Sequence, residues 1–352
     1  MLDRRPLRRG LLAFALLVEE LEVAGRALER REPARATATA LGSAATVHRG
    51  ERSRCTDEAS EHERAQTFST LLTLHASNLT IHLTMLICCL GDLTLDVVVR
   101  LAGPIAVGGD TDAEIVLAPG GQAANVAAWA ASLGASARFI GRTGDDDAGS
   151  LARDRLREHG VDVVGPIGGR NGLICSLVDP NGGRSMAADR GAATDLRADD
   201  VDPAWLEGCD HLFVSGYALM REPVRDAARR AVQLARDERA LVSVDLASWS
   251  AIRDSGTNAF RELVVELAPD VIFSNEDEGR IVGGQLPGAR WILKRGPRGC
   301  SFEGDERSAL PVDQVVDTTG AGDALAAGWI VGGPDLALEA ARRCVQRLGA
   351  MP

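Results

Sequence analysis

The run Asp317-Thr318-Thr319-Gly320-Ala321-Gly322-Asp323, followed by the apolar stretch Ala324 to Val331, concentrates residues that can do chemistry. Two threonines and two glycines suit a tight loop, Ala324-Leu325-Ala326-Ala327 has strong helix propensity, and Val315-Val316 reads as the end of a strand. Side chains this small leave the amides of Gly320, Ala321 and Gly322 open at a helix N-terminus, where the helix dipole favours an anion. Asp323 would repel that anion, so its place at the mouth of the cradle needs a separate reason. A general base taking the proton from a hydroxyl that attacks phosphorus supplies one. An aspartate that only steadies the helix dipole supplies another.

Further candidates follow apolar runs. Met85 to Leu90 is continuously apolar, as expected of a strand buried on both faces, and Gly91 ends it. Asp92 and Asp96 then fall beyond the C-terminal edge of that strand, where open α/β sheets bind ligands. His211 to Ser215, Leu241 to Asp245 and Val271 to Asn275 read as buried strands, each after a helical segment. Repeated β-α units make parallel strands and put the loops that follow them on one side, so Asp245, Asn275, Glu276 and Glu278 gather at the same edge. Val97 to Arg100 pairs as a hairpin with Glu114 to Leu117, and Ile174 to Val178 with Arg184 to Ala188, giving a small β lid over about 96–118 and 172–190. Pro119-Gly120-Gly121 turns into a helix, Ala123 to Leu133, that carries Asn125. Trp291 to Lys294 is a strand entering the glycine turn Gly296 to Gly299, with Lys294 and Arg298 as local positive charge. Arg190, beside Gly191, reaches into the site or lies at the surface.

Composition bounds these readings. The 352 residues are 45% hydrophobic and 25% charged, enough for one large core or two modest ones. A net charge of -11 argues against nucleic acid or an anionic membrane as a partner. Seven cysteines without metal-ligand spacing fit a reducing, cytoplasmic location, and no apolar run reaches the length of a membrane span. A dinucleotide fingerprint is absent, since Gly91-Asp92-Leu93-Thr94-Leu95-Asp96 stands where G-x-G-x-x-G would be. Residues 1–84 differ from the rest. Their basic start and apolar centre resemble a signal peptide broken by Glu19, Glu20 and Glu22, and Arg35 to Gln66 is polar without period. The expectation is an N-terminal extension outside the fold, with the functional domain at 85–352.

The Asp317 to Asp323 run resembles the second signature of the ribokinase-like (PfkB) carbohydrate kinases. Gly91 to Asp96, Gly120-Gly121-Gln122-Ala123-Ala124-Asn125, Asn275-Glu276-Asp277-Glu278 and Trp291 to Gly299 resemble other elements of that family, in the family's order. The resemblance implies an α/β fold with a central, mostly parallel sheet flanked by helices and a small β lid. It implies transfer of phosphate from ATP to a sugar hydroxyl, with Asp323 as base and Gly320, Ala321 and Gly322 as anion hole. Asp96 would grip sugar hydroxyls beside Asp92 and Arg190, Gly120 and Gly121 would admit the ring, and Asn125 would bond a hydroxyl. Asn275 and Glu278 would be tied to Mg2+, and Asn275, Lys294, Gly296, Gly299 and Thr318 to the nucleotide. Relatives continue with a segment that helps wall the adenine pocket, whereas this sequence stops at Pro352, so the match stops short of that wall and of a monovalent cation, K+. A homodimer through the lid is a further expectation. The alternatives are a nucleoside kinase and a catalytically silent sugar-binding regulator on the same fold.

Overall fold

The computed structural model describes residues 74–76, 79–81, 84–180 and 184–352. Most of the 1–84 extension, and Asn181 to Gly183 of the second lid turn, lie outside the described residues. A short hairpin, β1 (Leu74–Ala76) and β2 (Leu79–Ile81), precedes the main fold.

The main sheet has nine strands. They are β3 (Leu86–Leu90), β6 (Ser136–Ile140), β7 (Val161–Val164), β10 (His211–Ser215), β11 (Leu241–Asp245), β12 (Val271–Asn275), β13 (Arg290–Lys294), β14 (Cys300–Phe302) and β15 (Asp305–Arg307). Their order is β15-β14-β13-β12-β11-β10-β3-β6-β7, parallel from β13 to β7, with β14 and β15 antiparallel at one edge. The apolar runs that predicted strands are buried on both faces. Ile87 and Cys89 of β3 join one core, while Cys88 and Leu90 join the other. The first core packs α1 (Gln122–Ser132), α2 (Asp147–Glu158) and α7 (Ala321–Val345) on the sheet, and the second packs α3 (Val224–Asp237) and α5 (Thr257–Leu267). Two short helices, α4 (Trp249–Ser255) and α6 (Glu276–Ile281), follow β11 and β12.

From β3 the chain winds outward through β6 and β7, then returns to β10 beside β3 and winds the other way. Strand order therefore reverses between β3 and β10, and the C-terminal ends of strands at such a reversal are where open α/β sheets bind ligands. A second sheet stands over this edge: β5 (Ala113–Gly120), β4 (Thr94–Leu101), β8 (Gly172–Val178) and β9 (Arg184–Asp189), in that order. Asp96, expected in a loop past β3, is the third residue of lid strand β4, because pairing with β5 begins already at Thr94. Val315-Val316, expected to end a strand, are irregular; the Val316 N–H bonds Val345 O at 2.8 Å, so the segment runs against the end of α7. Gly332 and Gly333, ahead of Pro334, kink α7 in its middle. No helix among the described residues is long and apolar enough to cross a membrane.

Candidate active site

The loop before α7 is shaped by its own side chains and braced from below. Asp317 accepts the Thr319 N–H at 2.8 Å and hydroxyl at 2.6 Å, a local turn that Asp-Thr-Thr favours, and also the Gly349 N–H at 3.1 Å. Gly320 caps α7 at φ +77°, and a Cβ there would stand 2.6 Å from Ala350. Only glycine fits that backbone and that approach. Ala350 is held in turn, its carbonyl accepting from the buried Trp129 indole at 2.8 Å. Of the three amides expected to line the cradle, that of Ala321 is bent back to Thr318 O at 3.3 Å. Asp323 is the third residue of α7, and Asn125 Nδ2 of α1 donates to its Oδ2 at 2.8 Å. Asn125, expected to face the sugar, is thus first a ligand of the carboxylate.

At the reversal of strand order, Asp92 follows β3, Tyr217 follows β10, and Arg190 follows lid strand β9. Arg190 Nη2 pairs with Asp92 Oδ2, and its guanidinium lies 4.5 Å from the centre of the Tyr217 ring. Burial pushes the Tyr217 hydroxyl up in pKa, opposed by a hydrogen bond with Ser248 and by Arg190; the charges of Asp323 and Asp92 raise it further. The Asp92-Arg190 pair thus lies at this ring, and the charge of Asp323 is felt there. Asp96 accepts the Thr94 hydroxyl at 2.7 Å, and a side chain on Gly120 would overlap its carboxylate. Gly121, the residue before α1, gives its carbonyl to the Asn125 N–H at 2.9 Å.

On the other side, Asn275 caps α6, accepting the Glu278 N–H at 2.9 Å, while Glu278 accepts from Asn275 N at 2.8 Å and Nδ2 at 2.6 Å. Glu278 is buried, and burial pushes its carboxyl up in pKa while Lys294 opposes. Lys294 Nζ lies 2.6 Å from Oδ2 of the fully buried Asp245. Burial pulls the ammonium towards neutrality, but Asp245 and Glu278 outweigh it and hold Lys294 above its ordinary pKa. Its Nζ lies 3.4 Å from where a Gly322 Cβ would stand, so this charge sits against the cradle. Gly296 and Gly299 bracket the turn from β13 to β14, Arg298 pairs with Glu276, and Thr318 is exposed.

A carboxylate at a helix start, small residues backed by an ammonium, and a β lid thus come together at one edge of the main sheet. A model of the pfkB family carbohydrate kinases matches residues 84–351. The chain belongs to that family. A curated relative, Fructokinase-1 of Zea mays, is 30% identical over 68% of this chain and 80% of its own. ATP-dependent ribose-1-phosphate kinase of Halopiger xanaduensis is 32% identical over 64% of this chain and 78% of its own. Among solved structures, adenosine kinase from Sinorhizobium meliloti superposes with a TM-score of 0.67 at 23% identity, covering 76% of this chain and 96% of that one. The expected α/β fold with its β lid is the fold observed, and the chain is an ATP-dependent carbohydrate kinase.

In this pfkB-family kinase, Tyr217 and Trp129 have positions at the site that motif reading did not assign, while Asp245 and Asp317, expected at this edge and in this loop, have partners there that it did not name. Tyr217 is the chain's single tyrosine and Lys294 its single lysine, both visible as singular residues without a motif around them. As a kinase it uses ATP with Mg2+, and the residues present suit a shared rather than a private ion site. Among the described residues no group of three or more His, Cys, Asp and Glu side chains could hold a metal. Asp245 and Glu278 supply hard oxygens close to Lys294, and Mg2+ characteristically completes its shell with phosphate oxygens and water.

Proposed function

We propose that Asp323 is the general base that deprotonates a carbohydrate hydroxyl for in-line attack on the terminal phosphate of ATP. Asn125 fixes one oxygen of Asp323 and so sets the direction of its carboxylate. Amides at the start of α7, those of Gly320 and Gly322, with that of Ala321 turned back to Thr318, together with the ammonium of Lys294 behind Gly322, offset the negative charge that grows on the transferring group. Asp96, Asp92 and Arg190 orient the acceptor under the lid, with Gly120 and Gly121 giving it room. Asn275 and Glu278 support the metal side through water, and Gly296, Gly299 and Thr318 border the nucleotide. When bound, Mg2+ would supply charge neutralisation across the phosphate oxygens.

The observation that carries the reading is the Asn125–Asp323 contact, which ties the acceptor-side helix to the base across 198 residues of sequence. Asp323→Asn keeps size and hydrogen bonding but cannot accept the proton. Its turnover should fall about 10²- to 10⁴-fold with ATP binding retained. Near-normal kcat in a folded variant, in an assay that follows ADP release and acceptor mass, would sink this assignment.

Four wider proposals accompany it. The activity belongs to 85–352, supported by the family match over 84–351. The lid pairs with a second copy, supported by Ile115, Leu117 and Leu173, which are 63%, 46% and 37% exposed on the lid face they share with Val97 and Val99. A cytoplasmic location is supported by the six free cysteines among the described residues. K+ rests on family resemblance alone, and replacing it with a bulky organic cation tests it.

A further inference from the structure

We propose that Trp129 is a positioning residue for phosphoryl transfer: its indole pins the turn that backs the phosphate cradle, so that one helix, α1, places both the cradle and the base. This rests on the reading of the Gly320 and Gly322 amides as the cradle and extends it to a side chain that touches neither substrate.

The kink in α7 brings the backing turn into place. Gly332 and Gly333 break the helix, and the half after Pro334 folds back on the half before it, so that a Cβ on Gly328 would stand 2.5 Å from Leu336 O. The segment that follows therefore returns to the loop before α7 and meets it at four points. Val345 O accepts the Val316 N–H at 2.8 Å, and the Cys344 thiol donates to Thr319 O at 3.3 Å. The Gly349 N–H donates to Asp317 at 3.1 Å, and Ala350 stands against Gly320.

That turn is tied in its own right to α1. Asn125 and Trp129 are one helical turn apart, so their side chains leave the same face of α1. Asn125 reaches Asp323 and Trp129 reaches Ala350 O, each at 2.8 Å. The Trp129 ring is fully buried, and the Arg343 guanidinium, from the last turn of α7, lies 5.5 Å from its centre. A tryptophan serving the core alone needs some buried acceptor for its N–H. Here the acceptor belongs to the residue packed on Gly320, which has no side chain to cushion a shift of its neighbour. Amides that stabilise growing charge are sensitive to such shifts, since a displacement of about 1 Å caused far from the chemistry can cost about 10²-fold in rate.

Trp129→Phe keeps an aromatic ring in the core and removes the N–H. With ATP, Mg2+ and fructose or ribose as acceptor, kcat of the full chain should fall about 10-fold while both KM values stay within about two-fold, because the loss is felt by charge that grows in the transition state. Affinity for ADP with Mg2+ and aluminium fluoride, a mimic of the transferring group that does not depend on the acceptor's identity, should fall by a similar factor, with affinity for ADP alone retained. A tryptophan that only fills the core would lower the melting temperature and leave kcat, measured well below the melt, and the fluoride complex unchanged. That result overturns the inference. Should Trp129→Phe fail to fold, Ala350→Gly keeps the carbonyl bonded to the indole and removes the methyl group that backs Gly320. Its kcat should fall about three-fold or more at unchanged KM, and full kcat there overturns the inference as well. Gly322→Ala separates this from the reading beneath it, because the added methyl meets Lys294 at ordinary contact distance but crowds the cradle. Normal kcat in Gly322→Ala would take down the cradle reading and this inference with it. Lowered kcat there with full kcat in Trp129→Phe would overturn this inference alone.

Discussion

In the proposed site, the phosphate half and the acceptor half are assembled over different distances along the chain. Around the phosphates the contacts are mostly local: Asn275 and Glu278 cap each other three residues apart, and Asp317 folds onto Thr319 two residues on. Around the acceptor Asp96 takes the Thr94 hydroxyl two residues away, but the other contacts are long: Asp92 meets Arg190 across 98 residues and Asn125 meets Asp323 across 198. Local contacts form as soon as a turn forms and, in the proposed site, would hold a rigid cradle for a part of ATP that never changes. Long contacts exist only when core, lid and α7 are all in place, so the acceptor half depends on the whole fold and can vary as the lid varies. Asn125 Oδ1 and Asp92 Oδ1 lack protein partners in the acceptor half, whereas both oxygens of Glu278 and the Asp317 carboxylate are satisfied on the other side.

Lys294 and Asp245 break the pattern, a long pair 49 residues apart in the phosphate half, and disrupting it should have the largest effect. Lys294→Met leaves Asp245, with no exposed surface, uncompensated, at a cost of about 3 to 5 kcal/mol. Lys294→Met with Asp245→Asn should recover most of that stability, yet turnover should stay low because the ammonium behind Gly322 is gone. Thermal melts beside kcat check both. Full recovery of turnover in the double variant would make the pair structural only and restore the local rule.

Legibility followed the same division. Strands β3, β10, β11 and β12 were readable as apolar runs because burial on both faces removes alternation. The loop from Asp317 to Asp323 was readable because its chemistry is contiguous. That Arg190 would close on Asp92 and stack on Tyr217 was not, since no local spacing encodes a contact made by the topology. Asp96 was placed past β3 in a loop rather than in β4 for a related reason: the strand start at Thr94 is set by its partner Gly120, 26 positions away in sequence. The single lysine in a chain with 39 basic residues was a signal of a different kind, an outlier in composition, and its partner Asp245 could be named only from the fold.

A smaller effect sharpens the contrast from the acceptor side. Asp96→Asn keeps the shape beside Gly120 and removes one negative charge, so acceptor KM should rise about 10- to 100-fold while ATP affinity stays within about two-fold. Calorimetry with sugar and nucleotide separately distinguishes the halves. Equal loss of both affinities would mean that the two sides are not separable at Asp96.

The smallest expected effect is the most pointed test of the local half. Asn275 does two things at once: it caps α6 and it engages both oxygens of the buried Glu278. If capping is all it does, Asn275→Ala should cost about 0.5 to 2 kcal/mol in stability, the usual value of a lost N-cap, and leave the Mg2+ dependence of turnover unchanged. If Asn275 also holds Glu278 in place for the metal side, its loss should let the carboxylate move and raise the Mg2+ concentration needed for half-maximal rate. Asn275→Asp separates the two roles, because it still caps the helix but sets a second carboxylate against Glu278. A normal melt combined with altered Mg2+ dependence in Asn275→Asp would assign the pair to the chemistry, whereas unchanged Mg2+ dependence in both variants would leave this motif as a helix cap.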